Sequence, residues 1–390
     1  MINLPSVRHL VLLALGAVLL VSWPARAANP LGLEAKSAYL LEARTGRVLY
    51  SHDEARPLPP ASLSKIMTFE LILEAMEKGI LSPDTKVKVS EKAWRLALDR
   101  TISRMFIEVG DEVRVEDLLY GLMVSSGNDA ALALAEARSG SEASFVALMN
   151  QRARELGMRD TVFSDSHGLD PRNQRTTARD MALLARHIML AHPQYPRYTA
   201  TREFTYGGIK QRNWNRLLFS DPRVDGLKTG HLAEAGYHLV ATAREGDTWL
   251  IASILGTANE AKREAETERL LNWGFLNFRT LLVPWKGKAP ETLPLYKGDR
   301  KAVRLTVSEP VRVTVSRGAE GAVSVEYRGP RYLVAPLSRG SKVGEVVVRE
   351  GTREIGRFPL VTAEEARRGP FLRRFFDSIR LFFLSLRGSR

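Results

Sequence analysis

The sequence predicts a mixed α/β domain, more closely α+β, followed by a small all-β domain and a terminal amphipathic helix. Three observations predict it. Strand-like segments stand at both ends of residues 36–275 with helical periodicity between them, so one sheet brings the two ends of that region together. Residues 283–294 then break the pattern with Pro284, Gly287, Pro290 and Pro294. Beyond the break the segments up to residue 360 read as strands only, and the chain closes on an apolar and basic helical stripe. The resulting boundaries are 1–27, 28–283, 284–362 and 363–390.

Residues 1–27 read as a secretory signal. Arg8 supplies a positive flank, Leu10–Trp23 is a nearly unbroken apolar run, and Ala25-Arg26-Ala27 is a small-x-small cleavage site. The run falls short of the roughly 20 apolar residues that a membrane-crossing helix needs. Ser37–Leu41 and Arg47–Tyr50 then read as a strand pair around the turn Ala43-Arg44-Thr45-Gly46. Pro57-Leu58-Pro59-Pro60 stops the chain before a helical run of Ile66, Phe69, Ile72, Leu73 and Met76 that ends near Gly79. Helical periodicity returns over Val115–Arg138 and Ser141–Leu156, with Ser141 as N-cap. Val224–Lys228, Tyr237–Ala243 and Trp249–Leu255 are strand-like, and a helix over Glu260–Phe275 follows.

The Pro-rich stretch reads as a linker. After it come Val303–Val307, Val311–Val315, Val323–Tyr327, Lys342–Arg349 and Glu354–Leu360, with turns at Gly318, Gly329, Gly340 and Gly351, the pattern of a small antiparallel sandwich or barrel. No catalytic constellation lies in it. In the last segment Phe371, Leu372, Phe375, Phe376, Ile379, Phe382, Phe383 and Leu386 fall within one arc of about 140° at about 100° per residue. Arg373, Arg374, Asp377, Arg380 and Arg387 take the other side, and Leu381 and Leu384 break the pattern. Such a helix either lies in a lipid interface or docks its apolar face on protein, its own surface or a partner's.

Charge agrees with this division. The 390 residues carry 57 Lys+Arg and 44 Asp+Glu, a net charge of +13. Without residues 1–27 the charge is +11, and residues 28–296 hold only +1 of it; residues 297–360 hold +6 and 363–390 hold +4. A basic C-terminal end on a nearly neutral body suits an anionic membrane surface, and export disfavours nucleic acid as a partner. With no Cys there is no disulfide, thiol nucleophile or thiolate metal site. The seven His show no His-Glu-x-x-His spacing and no Gly-rich phosphate loop is evident, so neither metal nor cofactor is expected.

Chemistry concentrates in three short motifs: Ser62-Leu63-Ser64-Lys65, Ser126-Gly127-Asn128 and Lys228-Thr229-Gly230. Each alone has a plain reading: Ser62 an N-cap, Lys65 a solvated charge, Ser126-Gly127-Asn128 a turn. In this order and these settings they form the S-x-x-K, S-x-N and K-T-G set of acyl-serine enzymes. Ser62 lies at a helix start, where free N–H groups and the positive dipole end favour a developing oxyanion. Lys65, three residues on, shares its face. To act as a base Lys65 must be neutral, and burial together with a second ammonium at Lys228 would lower its pKa. Lys228 ends a strand, where Thr229 and the following backbone can run beside a substrate peptide as an added strand.

The chain resembles the low-molecular-mass penicillin-binding proteins that are D-alanyl-D-alanine carboxypeptidases. The resemblance runs from Ala28 to the C-terminus through Pro60–Lys65, Ser126–Ala130, Ser166-His167-Gly168-Leu169-Asp170, Val224–His231, Ala235-Gly236-Tyr237 and Arg263-Glu264-Ala265-Glu266. It implies a penicillin-recognising serine hydrolase domain with a central antiparallel sheet flanked by helices, an appended β-domain and an amphipathic anchor. It further implies that Ser62 is acylated by the penultimate D-alanine of a peptidoglycan pentapeptide, and by β-lactams, with Lys65 as base. Ser126 would relay a proton, and Asn128 would hold the substrate amide and Lys65. Lys228 would supply positive potential; Thr229 and Arg263 would bind the terminal carboxylate; the N–H groups of Ser62 and His231, beside Gly230, would form the oxyanion hole. His167 is a second-rank candidate. Leu232 departs from the family, which usually has Thr or Ser there, and removes a hydroxyl that could share the carboxylate contact. A D,D-endopeptidase or a non-catalytic wall-binding scaffold would retain the same fold. A β-lactamase is disfavoured, since residues 140–227 contain no Glu-x-x-x-Asn.

Overall fold

A computed structural model describes residues 29–387, so the signal assigned to residues 1–27 lies outside the described residues. The first domain is built on a five-stranded antiparallel sheet, in the spatial order Val48–His52, Ser37–Glu42, Thr248–Thr257, Gly236–Glu245, Val224–Leu232. The first two strands pair with the last three across some 200 residues of intervening chain, for example Leu40 with Ala252. Both faces of the sheet are covered, and its strands are apolar without alternation for that reason. Tyr39, Leu41, Ile251 and Leu255 point into the core beneath the helices Ser64–Glu77 and Ala178–Ala191. Ala38, Leu40, Leu250, Ala252 and Ile254 point the other way, onto Leu270, Leu271 and Phe275 of the helix Glu260–Asn277.

The helical stretch expected over Val115–Arg138 is two helices, Val115–Met123 and Asn128–Ser139. The periodicity spans both, but Ser126, at φ 59°, turns the chain between them. The helix Ala178–Ala191 carries no sequence expectation. Thr177 caps it by accepting the Asp180 N–H, and its buried Met181, Leu184, Ala185 and Ile188 belong to the main core.

The second domain holds a six-stranded sheet, Val323–Arg328, Lys342–Glu350, Arg353–Thr362, Ala302–Val307, Thr292–Tyr296, Leu333–Val334, beside the pair Phe278–Leu282 and Arg312–Ser316. All five expected strands are present within a residue or two. The sheet is not wholly antiparallel: Thr292–Tyr296 runs parallel to Leu333–Val334. Nor is the Pro-rich stretch a free linker. Val283, Trp285 and Ala289 are buried in the second core with Leu293 and Leu295, so its prolines shape the domain's edge. Phe278–Leu282, placed in the first domain by sequence, pairs with Arg312–Ser316 of the second. Residues 363–369 also belong to this domain, since Ala366 is fully buried and bonded to Leu337.

The last helix runs from Phe371 to Arg387. It meets the β-domain by its polar side: Asp377, 7 % exposed, accepts the Lys297 N–H at 2.6 Å, and Arg373 donates to the Arg300 carbonyl at 2.5 Å. The apolar side is uncovered, with Phe371, Leu372, Phe375, Phe376, Ile379, Phe382, Phe383 and Leu386 all exposed. Docking of the apolar face on the protein's own surface is therefore not what the fold does.

Candidate active site

Ser62 sits in a single 3-10 turn, Ala61–Leu63, that feeds directly into the helix Ser64–Glu77. Its placement costs backbone strain, because Ala61 has φ 51° without being glycine. The loop Asp165–Asp170 is packed against this turn. At Gly168 (φ +93°) an added Cβ would stand 1.8 Å from the Ala61 carbonyl oxygen, so only glycine permits the contact.

Lys65, one helical turn on, is completely buried. Its Nζ lies 3.0 Å from Ser62 Oγ, 2.8 Å from Asn128 Oδ1 and 2.7 Å from the His167 carbonyl oxygen. Burial pushes the ammonium down to about 7, against the opposing pull of Asp165 and Asp129. Near neutral pH a large share of Lys65 is thus a free amine within reach of a hydroxyl proton. The repulsion expected from Lys228 falls on Lys228 itself: burial, then Lys65 and Arg263, hold that ammonium well below its usual range.

The turn before the helix Asn128–Ser139 brings Ser126 and Asn128 to the same cleft. Asn128 is oriented from both ends of its amide, Oδ1 toward Lys65 and Nδ2 donating to the Ser103 carbonyl at 2.7 Å. Next to it, the buried Asp129 accepts the N–H groups of Met105, Phe106 and Ala130 at 2.8–2.9 Å, folding the segment around Ser103 into the cleft wall.

The opposite wall is the strand Val224–Leu232. It is an edge strand, hydrogen-bonded only to Gly236–Glu245, so its other edge is open. Thr229, Gly230, His231 and Leu232 line the cleft, while Lys228 is buried behind it and donates to the Thr229 carbonyl at 3.0 Å. His231 stacks on Tyr237, ring centres 4.0 Å apart. Arg263, from the helix Glu260–Asn277, is buried at the cleft's end, with Nη2 bonded to Glu264 Oε1 at 2.7 Å and to the Trp214 carbonyl at 3.4 Å. Its Nε has no hydrogen-bond partner among the described residues. The cleft encloses about 320 Å³.

The nine residues given catalytic or binding roles in the sequence analysis thus converge: Ser62, Ser126, Asn128, Thr229, Gly230, His231 and Arg263 line one cleft, with Lys65 and Lys228 beneath. The His167 ring does not join them. Its Nδ1 accepts the Leu169 N–H, Nε2 is 3.5 Å from Glu142, and burial keeps its pKa low; its contribution is the backbone carbonyl under Lys65. Asp129, Asp165, Ser103 and Trp214 were not singled out. Only Asp129 and Asp165 had a sequence signal, as acids within or beside the quoted segments.

A second polar cluster lies apart from the cleft, on the far part of the Ser62 helix. Glu70, fully buried, accepts from His192 Nε2 (2.9 Å), His187 Nε2 (3.0 Å) and Arg152 Nη2 (2.9 Å), and His192 Nδ1 reaches Glu77 at 2.7 Å. Glu70, His187 and His192 could hold a metal ion by type and proximity. Here, however, both nitrogens of His192 face carboxylate oxygens and the Arg152 guanidinium already neutralises Glu70, so protons and a guanidinium occupy the place of a cation.

Comparison with known proteins fits this geometry. Residues 24–259 match the family described as D-alanyl-D-alanine carboxypeptidase, and residues 278–368 match the C-terminal domain of penicillin-binding protein 5. The chain is 38% identical over 362 residues to the D-alanyl-D-alanine carboxypeptidase DacC of Escherichia coli, covering 92% of this chain and 90% of that one. Among solved structures, penicillin-binding protein 5 of Haemophilus influenzae superposes with a TM-score of 0.79 at 35% identity, over 86% of this chain and 98% of that one. Penicillin-binding protein D2 of Listeria monocytogenes, solved in its cefotaxime-bound form, matches 62% of this chain and 98% of its own, at 33% identity and TM-score 0.57. This chain belongs to the D-alanyl-D-alanine carboxypeptidase family of serine peptidases.

Proposed function

We propose that this carboxypeptidase trims the terminal D-alanine from peptidoglycan pentapeptide stems through an acyl-enzyme on Ser62, and that β-lactams are trapped at the same atom. One observation carries the reading: a buried Lys65 amine, with its pKa near 7, lies 3.0 Å from the Ser62 hydroxyl. Lys65 takes the Ser62 proton as Oγ attacks the penultimate carbonyl, and the N–H groups of Ser62 and His231 receive the oxyanion. The proton passes by way of Lys65 and Ser126 to the leaving D-alanine nitrogen. Water then cleaves the ester, with the same amine as base.

Asn128 steadies Lys65 and the substrate amide. The open edge of Val224–Leu232 receives the stem as an added strand. Thr229 and Arg263 hold the terminal carboxylate, whose charge favours the protonated form of Lys228 against the effect of burial. The cefotaxime-bound Listeria relative supports the β-lactam part of this reading. The test is labelling by a fluorescent penicillin together with D-alanine release from a synthetic pentapeptide. Wild type performs both and Ser62→Ala neither; equal labelling of the two rejects Ser62.

The protein works, on this reading, at the periplasmic face of the bacterial inner membrane, exported by residues 1–27 and held by its last helix. No helix among the described residues is long and apolar enough to cross a membrane. Eight exposed apolar side chains on one face, with Arg374 and Arg380 beside them, suit a helix lying in the lipid interface.

A further inference from the structure

The two domains meet at the turn between the first two strands. There Thr45 Oγ1 lies 2.8 Å from Thr314 Oγ1, and Arg47 donates to the Thr314 carbonyl. Beside these contacts the domains do not close on each other. They enclose a cavity of about 580 Å³ with four arginines in its wall, Arg44 and Arg186 from the first domain and Arg312 and Arg357 from the second. Glu309 is the one acid that lines it, and Met189, Leu190 and Phe358 give it an apolar side.

The four guanidinium groups are not equally neutralised. Arg44 is paired with Asp247 at 2.6 Å and lies 3.8 Å over the Trp249 ring, and Arg357 is paired with Glu354. Arg186 and Arg312 have no carboxylate partner among the described residues. Arg186 is fixed by backbone instead, donating from Nε to the Ala43 carbonyl at 2.6 Å and from Nη2 to the Arg44 carbonyl at 3.5 Å. The Nε of Arg312 is buried with no acceptor among the described residues. A buried donor without an acceptor costs free energy, and neighbouring guanidinium charges without acids repel one another. An oxyanion bound between them relieves both costs, since guanidinium forks match carboxylate and phosphate geometry.

The position of the cavity narrows the source of that oxyanion. Glu309 and Phe358 lie just past the Val307–Leu360 pairing, at one end of the strand Ala302–Val307. The last helix is held at the other end, through Lys297 and Arg300. A six-residue strand is roughly 20 Å long, so whatever that helix rests on is not at the cavity. The occupant is therefore a small soluble or wall-borne molecule rather than a lipid headgroup. Its body meets the apolar side, and Glu309, which makes no ion pair among the described residues, is left to accept from hydroxyl or amide groups.

We infer that the junction of the two domains is a second binding site, for a sugar that carries one oxyanion group, carboxylate or phosphate. The oxyanion is taken by Arg186 and Arg312, one from each domain, so the ligand bridges them. The site is separate from the Ser62 cleft and uses none of its residues, and its failure leaves the acyl-enzyme reading standing.

The full chain is titrated calorimetrically with N-acetylmuramic acid, with N-acetylglucosamine 1-phosphate and with neutral N-acetylglucosamine. At least one anionic sugar should bind and raise the unfolding midpoint, the neutral one should not, and whichever anion binds names the source of the oxyanion. Arg312→Gln and, independently, Arg186→Gln should each raise Kd about tenfold or more and change D-alanine release less than about twofold. The unfolding midpoint without ligand shows that each variant is folded, and one folded variant suffices. Binding of neither anion, equal binding of the neutral sugar, or an unchanged Kd in a folded variant overturns the inference.

Discussion

The cleft and the last helix invert the ordinary rule of burial in opposite directions. Under the cleft two ammonium groups, Lys65 and Lys228, are taken out of water at 0 % and 2 % exposure; on the helix Phe371–Arg387 eight large apolar side chains are left in it. Neither arrangement favours the fold by itself. A buried ammonium costs free energy unless it is paired or loses its proton, and an exposed aromatic forgoes burial worth ~1.5–3 kcal/mol. On the function proposed above, each inversion would be completed from outside, by an anionic acyl substrate in one region and by an apolar phase in the other. The second core shows the contrast, since its Val303, Val315, Val346 and Leu360 are simply buried.

Four experiments break or sharpen this comparison. The largest effect is expected from cutting the chain after Pro370, which should move the protein from the membrane fraction to the soluble one while leaving D-alanine release from a soluble peptide intact. The cut belongs there and not at the boundary of 363 read from the sequence, because Ala366 is part of the β-domain core. Retention on membranes after the cut would remove lipid as what covers the apolar face.

At the cleft, Lys65→Ala should lower kcat/KM about 10²–10⁴-fold, the range for loss of a general base. In wild type the acid limb of kcat/KM should fall off below a pH near 7, where Lys65 gains its proton. An acid limb unchanged by the substitution would show that another group titrates.

A smaller effect is expected at the Glu70–His192 cluster. Burial works against a charged His192, yet the hydrogen bonds it donates to Glu70 and Glu77, with their negative charge, overcome it and raise its pKa. The charged ring is therefore favoured in the folded state. Its contribution to stability is complete below the unfolded value of about 6.5 and is lost as pH rises through the folded value. His192→Phe should cost about 1–3 kcal/mol in urea unfolding at pH 6 and less at pH 9. A cost independent of pH would assign it to packing.

The smallest is Leu232→Thr, which should lower KM for a pentapeptide a few-fold, about 1 kcal/mol, with kcat little changed. No change in KM would show that the missing hydroxyl plays no part in carboxylate binding.

Much of this was legible in the sequence, and the boundary of what was legible is physical. Ser62, Ser126, Asn128 and Lys228 are readable because a reacting or binding side chain fixes residue type and spacing together. The strands of the main sheet are readable from nearly continuous apolar runs such as Leu250–Leu255, broken only by Ser253, which burial on both faces demands. What could not be read acts through backbone atoms or through contacts distant in the chain. The His167 carbonyl beneath Lys65 and the Ser103 carbonyl holding Asn128 place no demand on their side chains, so neither leaves a trace in composition. His167 drew attention for its ring, although the ring faces Asp165 and Glu142. The break between Val115–Met123 and Asn128–Ser139 escaped because apolar residues continue on both sides of it, while the strain sits at Ser126. Trp214 was silent because its wall of the cleft depends on Arg263, 49 residues away in sequence.

The missing carbon at Gly168 has a consequence for anyone judging competence from motifs. The loop and the nucleophile's turn share a boundary thinner than a methyl group, and the atom across it is the carbonyl of the residue just before Ser62. Alanine at 168 would leave every signature residue in place and still push the attacking hydroxyl off its line, so an intact-looking gene copy could encode a silent enzyme.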